Sequence, residues 1–239
     1  MTQIKALDKK AHASFKVSQD LTFAHVKNNH VLPLVLHEIV QASHSYPVLF
    51  VKDQNTGQFR VVALAGLRPG ENLFAGEEGW AGSYVPSQVR TYPFVLVRNP
   101  NNEDEAVLCI DEDADMVGES DGEALFGNDG EQTEYLKNRA QGVVDVAQRV
   151  QITEQFIDQL VSLDLLAQKK LTLRTGESEE PYDLTGFYVI DEEKLNQLSE
   201  EDFLALRTKG VLPAIYAALM SSMQVQNLIR KKQLQTQAA

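Results

Sequence analysis

Short apolar runs broken by polar turns fill the first half of the chain. Longer stretches with helical spacing fill the second. The run VLFV at 48–51 follows Tyr46-Pro47, and the polar cluster Asp53-Gln54-Asn55-Thr56-Gly57 separates it from FRVVAL at 59–64. Runs of this length, bounded by proline and by turn-forming residues, predict a β-hairpin. The device recurs. Tyr92-Pro93 leads into FVLV, Asn99-Pro100-Asn101-Asn102 supplies the turn, and EAVLCIDE returns. Proline suits the first position of a strand, where a missing donor costs no ladder bond. The pair YPVLFVKD and YPFVLVRN therefore reads either as convergence on one strand-entry chemistry or as an internal duplication.

Residues 34–42, after Pro33, have the pattern of a short helix that Tyr46-Pro47 ends, because a residue before proline avoids the α region. Between the hairpins lies a loop, 65–90, with Gly66, Gly70, Gly76, Gly79, Gly82, Pro69 and Pro86. Such density predicts irregular backbone. From Glu103 to Glu134 the chain is acidic and lacks Lys and Arg, which predicts an acidic loop, 103–134. Asp111, Asp113 and Asp115 have the spacing that opens a calcium loop. Met116 and Gly122 stand where such a loop needs Gly and Glu, so a solvated acidic segment is favoured.

Beyond this, Ile152, Phe156, Ile157, Leu160, Val161 and Leu165 form an apolar helical stripe. LTLRTGESEEPYDLTGFYVID predicts two short strands around a charged turn. LNQLSEEDFLALRTKG predicts a helix that Ser199 caps and Gly210 stops. Pro213 opens a final helix with Ile215, Leu219, Met223 and Leu228 on or near one face. Arg230-Lys231-Lys232 complements the dipole at its end, and fraying is expected after Lys232. The fold class is α+β: a mixed or mainly antiparallel sheet built from β-hairpins over roughly 46–112, with a helical C-terminal part. Residues 1–134 form a β-rich part and 135–239 a mainly helical part with a short hairpin, packed on the same domain.

Composition narrows the function. With 239 residues, 43% hydrophobic and 23% charged, the chain is ordinary for a soluble globular protein. A net charge of −12 disfavours nucleic acid and anionic lipid surfaces as partners. The N-terminus lacks an apolar signal core and no window reaches the ~18 apolar residues of a membrane span. The expectation is a cytoplasmic protein without membrane insertion. A single cysteine, Cys109, excludes an intrachain disulfide and sits in an apolar run, which predicts an inert core thiol.

No phosphate-binding glycine loop and no Gly-x-Ser-x-Gly elbow is present. His25, His30, His37 and His44 lie close in sequence, and His37 and His44, two helical turns apart with Glu38 nearby, could line one face, but no third metal ligand is indicated. No cofactor and no metal is expected, and no acid–base pair can be nominated.

The loop and its exit hold Arg68, Asn72, Trp80, Tyr84, Arg90 and Tyr92. Arginines can clamp a carboxylate or phosphate, and the rings offer flat faces. One reading is a pocket for a small anionic or aromatic ligand, with these six residues converging on one spot. A second has Asn72 and the arginines bonding loop carbonyls while Trp80 and Phe74 cap the sheet. A third is a surface for a partner protein. The pattern carries no signal for an oligomeric state.

The stretch Gly66-Leu67, Gly70-Glu71-Asn72-Leu73-Phe74, Trp80, Tyr84-Val85-Pro86 and Arg90-Thr91-Tyr92-Pro93-Phe94, with Tyr46-Pro47 before it, resembles the bacterial SapC family. Cys109-Ile110-Asp111-Glu112, Gly122-Glu123-Ala124-Leu125-Phe126, Leu195-Asn196 with Leu198, and Gly210-Val211-Leu212-Pro213 with Ile215-Tyr216 extend the resemblance, which runs from about Pro33 to about Leu228. It implies a link to a bacterial surface layer, and for some members a transporter-permease label. Neighbouring outer-membrane receptors, cupin-like and tryptophan-halogenase-like proteins imply a soluble accessory protein of an uptake or modification system. It supplies no catalytic residues. The function expected is a non-enzymatic accessory or binding protein, with an enzyme acting at the loop or a surface-layer assembly protein as alternatives.

Overall fold

The two Tyr-Pro strands form the two expected hairpins, but the hairpins belong to different sheets. The computed structural model describes residues 3–99, 102–173 and 182–238. In the first hairpin, β4 (Val48–Lys52) pairs antiparallel with β5 (Phe59–Leu64); in the second, β8 (Phe94–Asn99) pairs with β9 (Asn102–Asp111). Each proline carbonyl closes its ladder. Pro47 O accepts from Leu64 N at 2.9 Å and Pro93 O from Asp111 N at 3.0 Å. The two similar octapeptides thus share the proline-carbonyl bond, although Tyr92-Pro93 is cis and Tyr46-Pro47 is not. Residues 100–101 of the second turn, and the charged turn expected within 174–181, lie outside the described residues.

The larger sheet has five strands in the order β12-β13-β4-β5-β3, where β3 is Val31–Pro33, β12 Leu166–Leu173 and β13 Tyr182–Ile190. The late hairpin joins the early one through Phe187↔Val51 and Tyr188↔Phe50. The other main sheet is β1-β9-β8, with β1 at Ile4–Ala6. Strand pairing is antiparallel throughout the described residues. Small pieces complete the β structure. β2 (Lys16–Val17) lies between β10 (Val117–Gly118) and β11 (Glu123–Ala124), and β6 (Ala75–Gly76) pairs with β7 (Gly79–Trp80). The segment 103–134 is therefore not a loop: it carries most of β9, and β10 and β11. The glycine-rich segment holds β6, β7 and a short helix, α2 (Ser87–Thr91).

The long helix α3 (Glu134–Ser162) serves two apolar cores. Its C-terminal half buries Phe156, Ile157 and Leu160 against the five-stranded sheet. Its N-terminal half buries Leu136 and Val143 in a second cluster with Val17, Phe94, Ile110, Leu125 and Phe126. Thr133 caps it, accepting from Leu136 N at 3.2 Å. Ile152 and Val161 are 43% and 44% exposed, so the predicted stripe is displaced: Thr153, not Ile152, completes the buried face. Short helices line the rest: α1 (Ile39–Ala42), α4 (Glu192–Asn196), α5 (Glu200–Thr208) and α6 (Leu212–Met220). Ser199 caps α5, and Gly210 ends that turn with φ 70°.

The C-terminus departs from expectation. The last helix breaks at a 3₁₀ turn, Ser221–Met223, before α7 (Gln224–Ala238). Ser221 is buried there: its hydroxyl donates to Ala218 O at 2.6 Å and accepts from Val48 N at 2.8 Å, which satisfies the first donor of β4. Met223 is left 74% exposed rather than on the packed face. The basic run does not end a helix. Lys231 donates to Ala81 O at 2.7 Å and Lys232 meets Glu71 at 2.6 Å, so α7 is pinned to the glycine-rich loop and continues beyond Lys232. Cys109 is buried, and that burial pushes its thiol pKa up.

Candidate functional site

The loop spends three of its six marked residues on its own architecture. Asn72 is buried. Its carbonyl accepts from Phe74 N at 2.9 Å and Ala75 N at 3.3 Å, and its amide donates to Val26 O at 3.1 Å. Trp80 donates to the hydroxyl of Tyr46 at 2.7 Å and to Tyr84 O at 2.9 Å; Tyr46 donates to the same carbonyl. Tyr84 donates to Glu38 at 2.6 Å. Glu38 is buried and also accepts from Val35 N at 2.8 Å and Ser87 N at 2.9 Å. Burial, then the bond to Glu38, pushes the Tyr84 phenol up to about 12, against the pull of Arg90.

The remaining three separate. Arg68 lines one cavity of about 700 Å³, beside His30, Asp183 and Phe187. Arg90 and Tyr92 line another, of about 660 Å³. Trp80 borders a third opening, under α7. The expected convergence of Arg68 and Arg90 on one spot is thus not formed. The loop leaves from β5 in the large sheet and arrives at β8 in the other, so its two ends serve different neighbourhoods.

The Arg90 cavity lies at the seam of the two cores: Phe23 packs with the larger cluster, and Met116 and Tyr135 with the smaller. Four segments build its walls. Asp20 accepts from Thr22 N at 2.8 Å, from the Thr22 hydroxyl at 2.6 Å and from Ala24 N at 3.3 Å, and so shapes the turn that carries His25. Burial works against its charge, but these bonds hold the carboxyl below its ordinary pKa. His25 stacks on Tyr92 with ring centroids 4.1 Å apart and planes 10° from parallel. Tyr92 donates to buried Asp111 at 2.9 Å; its burial, then that carboxylate, raises the phenol pKa. Asp111, the first of the three spaced aspartates, thus serves a tyrosine and Asp113 N.

From α3, Arg139 Nη2 donates to the carbonyls of Arg90, Thr91 and Tyr92 at 2.9, 3.2 and 2.8 Å, closing the open end of α2. The fourth wall is Gly122-Glu123. Gly122 has φ 110°, and a Cβ there would lie 2.3 Å from Val17 O, so only glycine lets this segment approach β2.

The electrostatics leave two groups unmatched. Burial lowers the His25 pKa, although a bond to Val89 O opposes this, so the ring is neutral at pH 7. A carbonyl only accepts, so His25 carries its proton on Nε2, 3.2 Å from Val89 O. Its Nδ1 is then an acceptor, buried and without a partner among the described residues; Arg139 Nε is a donor in the same condition. Among the described residues neither Arg90 nor Arg139 has a carboxylate in ion-pair contact. No group of three or more His, Cys, Asp or Glu among those residues is placed to hold a metal. No single helix among them is long and apolar enough to cross a membrane.

Arg90 and Tyr92 were legible as site candidates; His25, Arg139, Tyr135 and Asp20 were not. One local signal existed: Tyr135 and Arg139, four apart on a helix, share a face. Nothing in the sequence joins that face to His25.

The SapC family model matches residues 7–228. No curated protein and no solved structure matches the chain. The matched span takes in both cores and every wall of the Arg90 cavity. On that coverage, the chain belongs to the SapC family.

Proposed function

We propose that this SapC-family chain is a binding protein for a small organic anion, held in the cavity between the two cores. The observation that carries this reading is that two arginines line one cavity and that, among the described residues, neither has a carboxylate in ion-pair contact. A guanidinium in such a place attracts a carboxylate or phosphate, and forked donors hold it in a fixed orientation. A volume of about 660 Å³ falls within the range of small-molecule pockets. What favours binding over catalysis is that two nearby carboxylates are committed, Asp20 to a turn and Asp111 to Tyr92, which leaves exposed Glu123 as the remaining acid of the lining. The chain would then act by carrying or sensing its ligand, as an accessory protein does.

The test is a thermal-shift and calorimetric survey with small carboxylates and inorganic phosphate. Arg90 is exposed and its guanidinium lies over Tyr84, 5.7 Å from the ring centre, so Arg90→Ala is expected to fold with at most a small loss of stability, read from its melting temperature without ligand. It is expected to abolish the ligand-induced shift, while Arg68→Ala, at a different cavity, keeps it. An equal response from both variants, or no response of the parent to any anion, would overturn the proposal.

A further inference from the structure

The unmatched atoms of the cavity specify more than charge. Its walls present the rings of Phe23, His25, Tyr92 and Tyr135, so an occupant meets flat apolar faces on several sides. Arg90 supplies a cation. His25 Nδ1 is an acceptor that the protein leaves without a donor, in a ring that forms part of the wall. A buried acceptor without a partner is costly, and a ligand that brings the missing donor recovers that cost. Nδ1 itself is buried, in a ring that lines the cavity. An occupant reaches it if the ring turns about χ2, a soft torsion.

We infer that the ligand is a flat aromatic acid that also carries an O–H or N–H group. Its carboxylate meets Arg90, its ring lies among the aromatic walls, and its donor is received by His25 Nδ1. This rests on the anion site proposed above and adds shape and a hydrogen-bond polarity to it. The polarity is specific. His25 cannot donate from Nδ1 while Nε2 holds the proton against Val89 O, so a ligand with only an ether or ketone at that position leaves the acceptor unmet.

The probes are the three hydroxybenzoate isomers, the matching methoxybenzoates, cyclohexanecarboxylate and inorganic phosphate, titrated by ligand-observed NMR and calorimetry. One hydroxybenzoate is expected to bind about tenfold or more tightly than its methoxy partner. His25→Phe keeps a ring against Tyr92 but lacks the acceptor, and should bring the two affinities together. Arg90→Ala should weaken both alike. If cyclohexanecarboxylate or phosphate binds as well as any hydroxybenzoate, and Arg90→Ala abolishes that binding, the anion site stands and this inference falls. If His25→Phe leaves the hydroxy-over-methoxy preference intact, the assignment to Nδ1 is wrong. If no probe binds the parent protein, the anion site and this inference fall together.

Discussion

Arg139 lies 2.8 Å from the carbonyl of Tyr92, and this bond joins the long helix to the end of the glycine-rich segment. The same nitrogen reaches the carbonyls of Arg90 and Thr91. A single side chain from α3 therefore closes α2 and fixes the chain as it enters the second hairpin. Arg139→Met keeps an apolar chain but removes the donors and the guanidinium that lies 5.5 Å from the centre of the Phe94 ring. The loss expected is about 1–2 kcal/mol, or a melting temperature lower by roughly 2–8 °C. An unchanged melting curve would show that water replaces the guanidinium at no cost.

Glu71 and Lys232 carry unequal weight. The bridge between them has side chains 18% and 32% exposed, and pairs of that kind contribute little. Glu71 also accepts from Leu67 N at 2.8 Å and Arg68 N at 2.9 Å, which sets the first bend of the loop. Lys232→Ala is expected to cost about 0.5 kcal/mol and Glu71→Ala about 2 kcal/mol, read from urea denaturation. Equal losses would place the energy in the ion pair instead.

These contacts mark how far the sequence could be read. Local chemistry was legible: Asp53 bonds Asn55 N and Thr56 N in the predicted turn, and Ser199 caps α5. Each depends on residues within one turn of chain. The joining of β13 to β4, and of His25 to Tyr92, depends on segments far apart in sequence, and no local pattern encodes such a partner. The early half of α3 lies in the part expected to be mainly helical but shows no apolar stripe, because only Leu136 and Val143 are buried there, with Tyr135 partly so. The basic run misled because its bonds go to the distant loop rather than to its own helix. Arg68 and Arg90 looked like a clamp because they share a loop, but the loop spans from one sheet to another.

Alkaline pH should loosen the fold in a defined window. Burial raises the pKa of Tyr46, and burial with the Glu38 bond takes Tyr84 to about 12, against an ordinary value of 10.0. A raised folded pKa favours the protonated form in the native state. Stability is then whole below pH 10, where the unfolded phenols are neutral too, and is lost as pH rises from 10 towards 12. Urea midpoints across this range should fall in the parent and fall less in Tyr84→Phe. A parent midpoint that stays level would contradict the buried-phenol account.

Gly122→Ala tests the wall of the cavity. The backbone there has φ 110°, and a Cβ would meet Val17 O at 2.3 Å. Neither the torsion nor the contact can be relieved without parting β11 from β2. The expected cost is about 2–4 kcal/mol. Gly130→Ala gives a control, with φ 77° but open space around the added atom, and should cost less. If both variants lose the same stability, torsion alone explains the glycine and the close approach does not matter.

Trp80 is the sole tryptophan, so its fluorescence reports on the loop without ambiguity. Its indole lies 6.1 Å from the Phe74 ring, and Lys231 sits 4.9 Å from that ring's centre while donating to Ala81 O. Burial lowers the Lys231 pKa, as expected for an ammonium pressed into the loop. Deleting α7 removes this lid together with buried Leu228. The emission of Trp80 should then shift to the red as water reaches the indole, and the melting temperature should drop. Lys231→Met keeps the helix and most of the apolar cover, so it should shift the emission less and leave the far-ultraviolet circular dichroism unchanged. The deletion must act through the loop to produce that ordering. If Trp80 emission is the same in all three proteins, α7 rests on the loop without holding it in place.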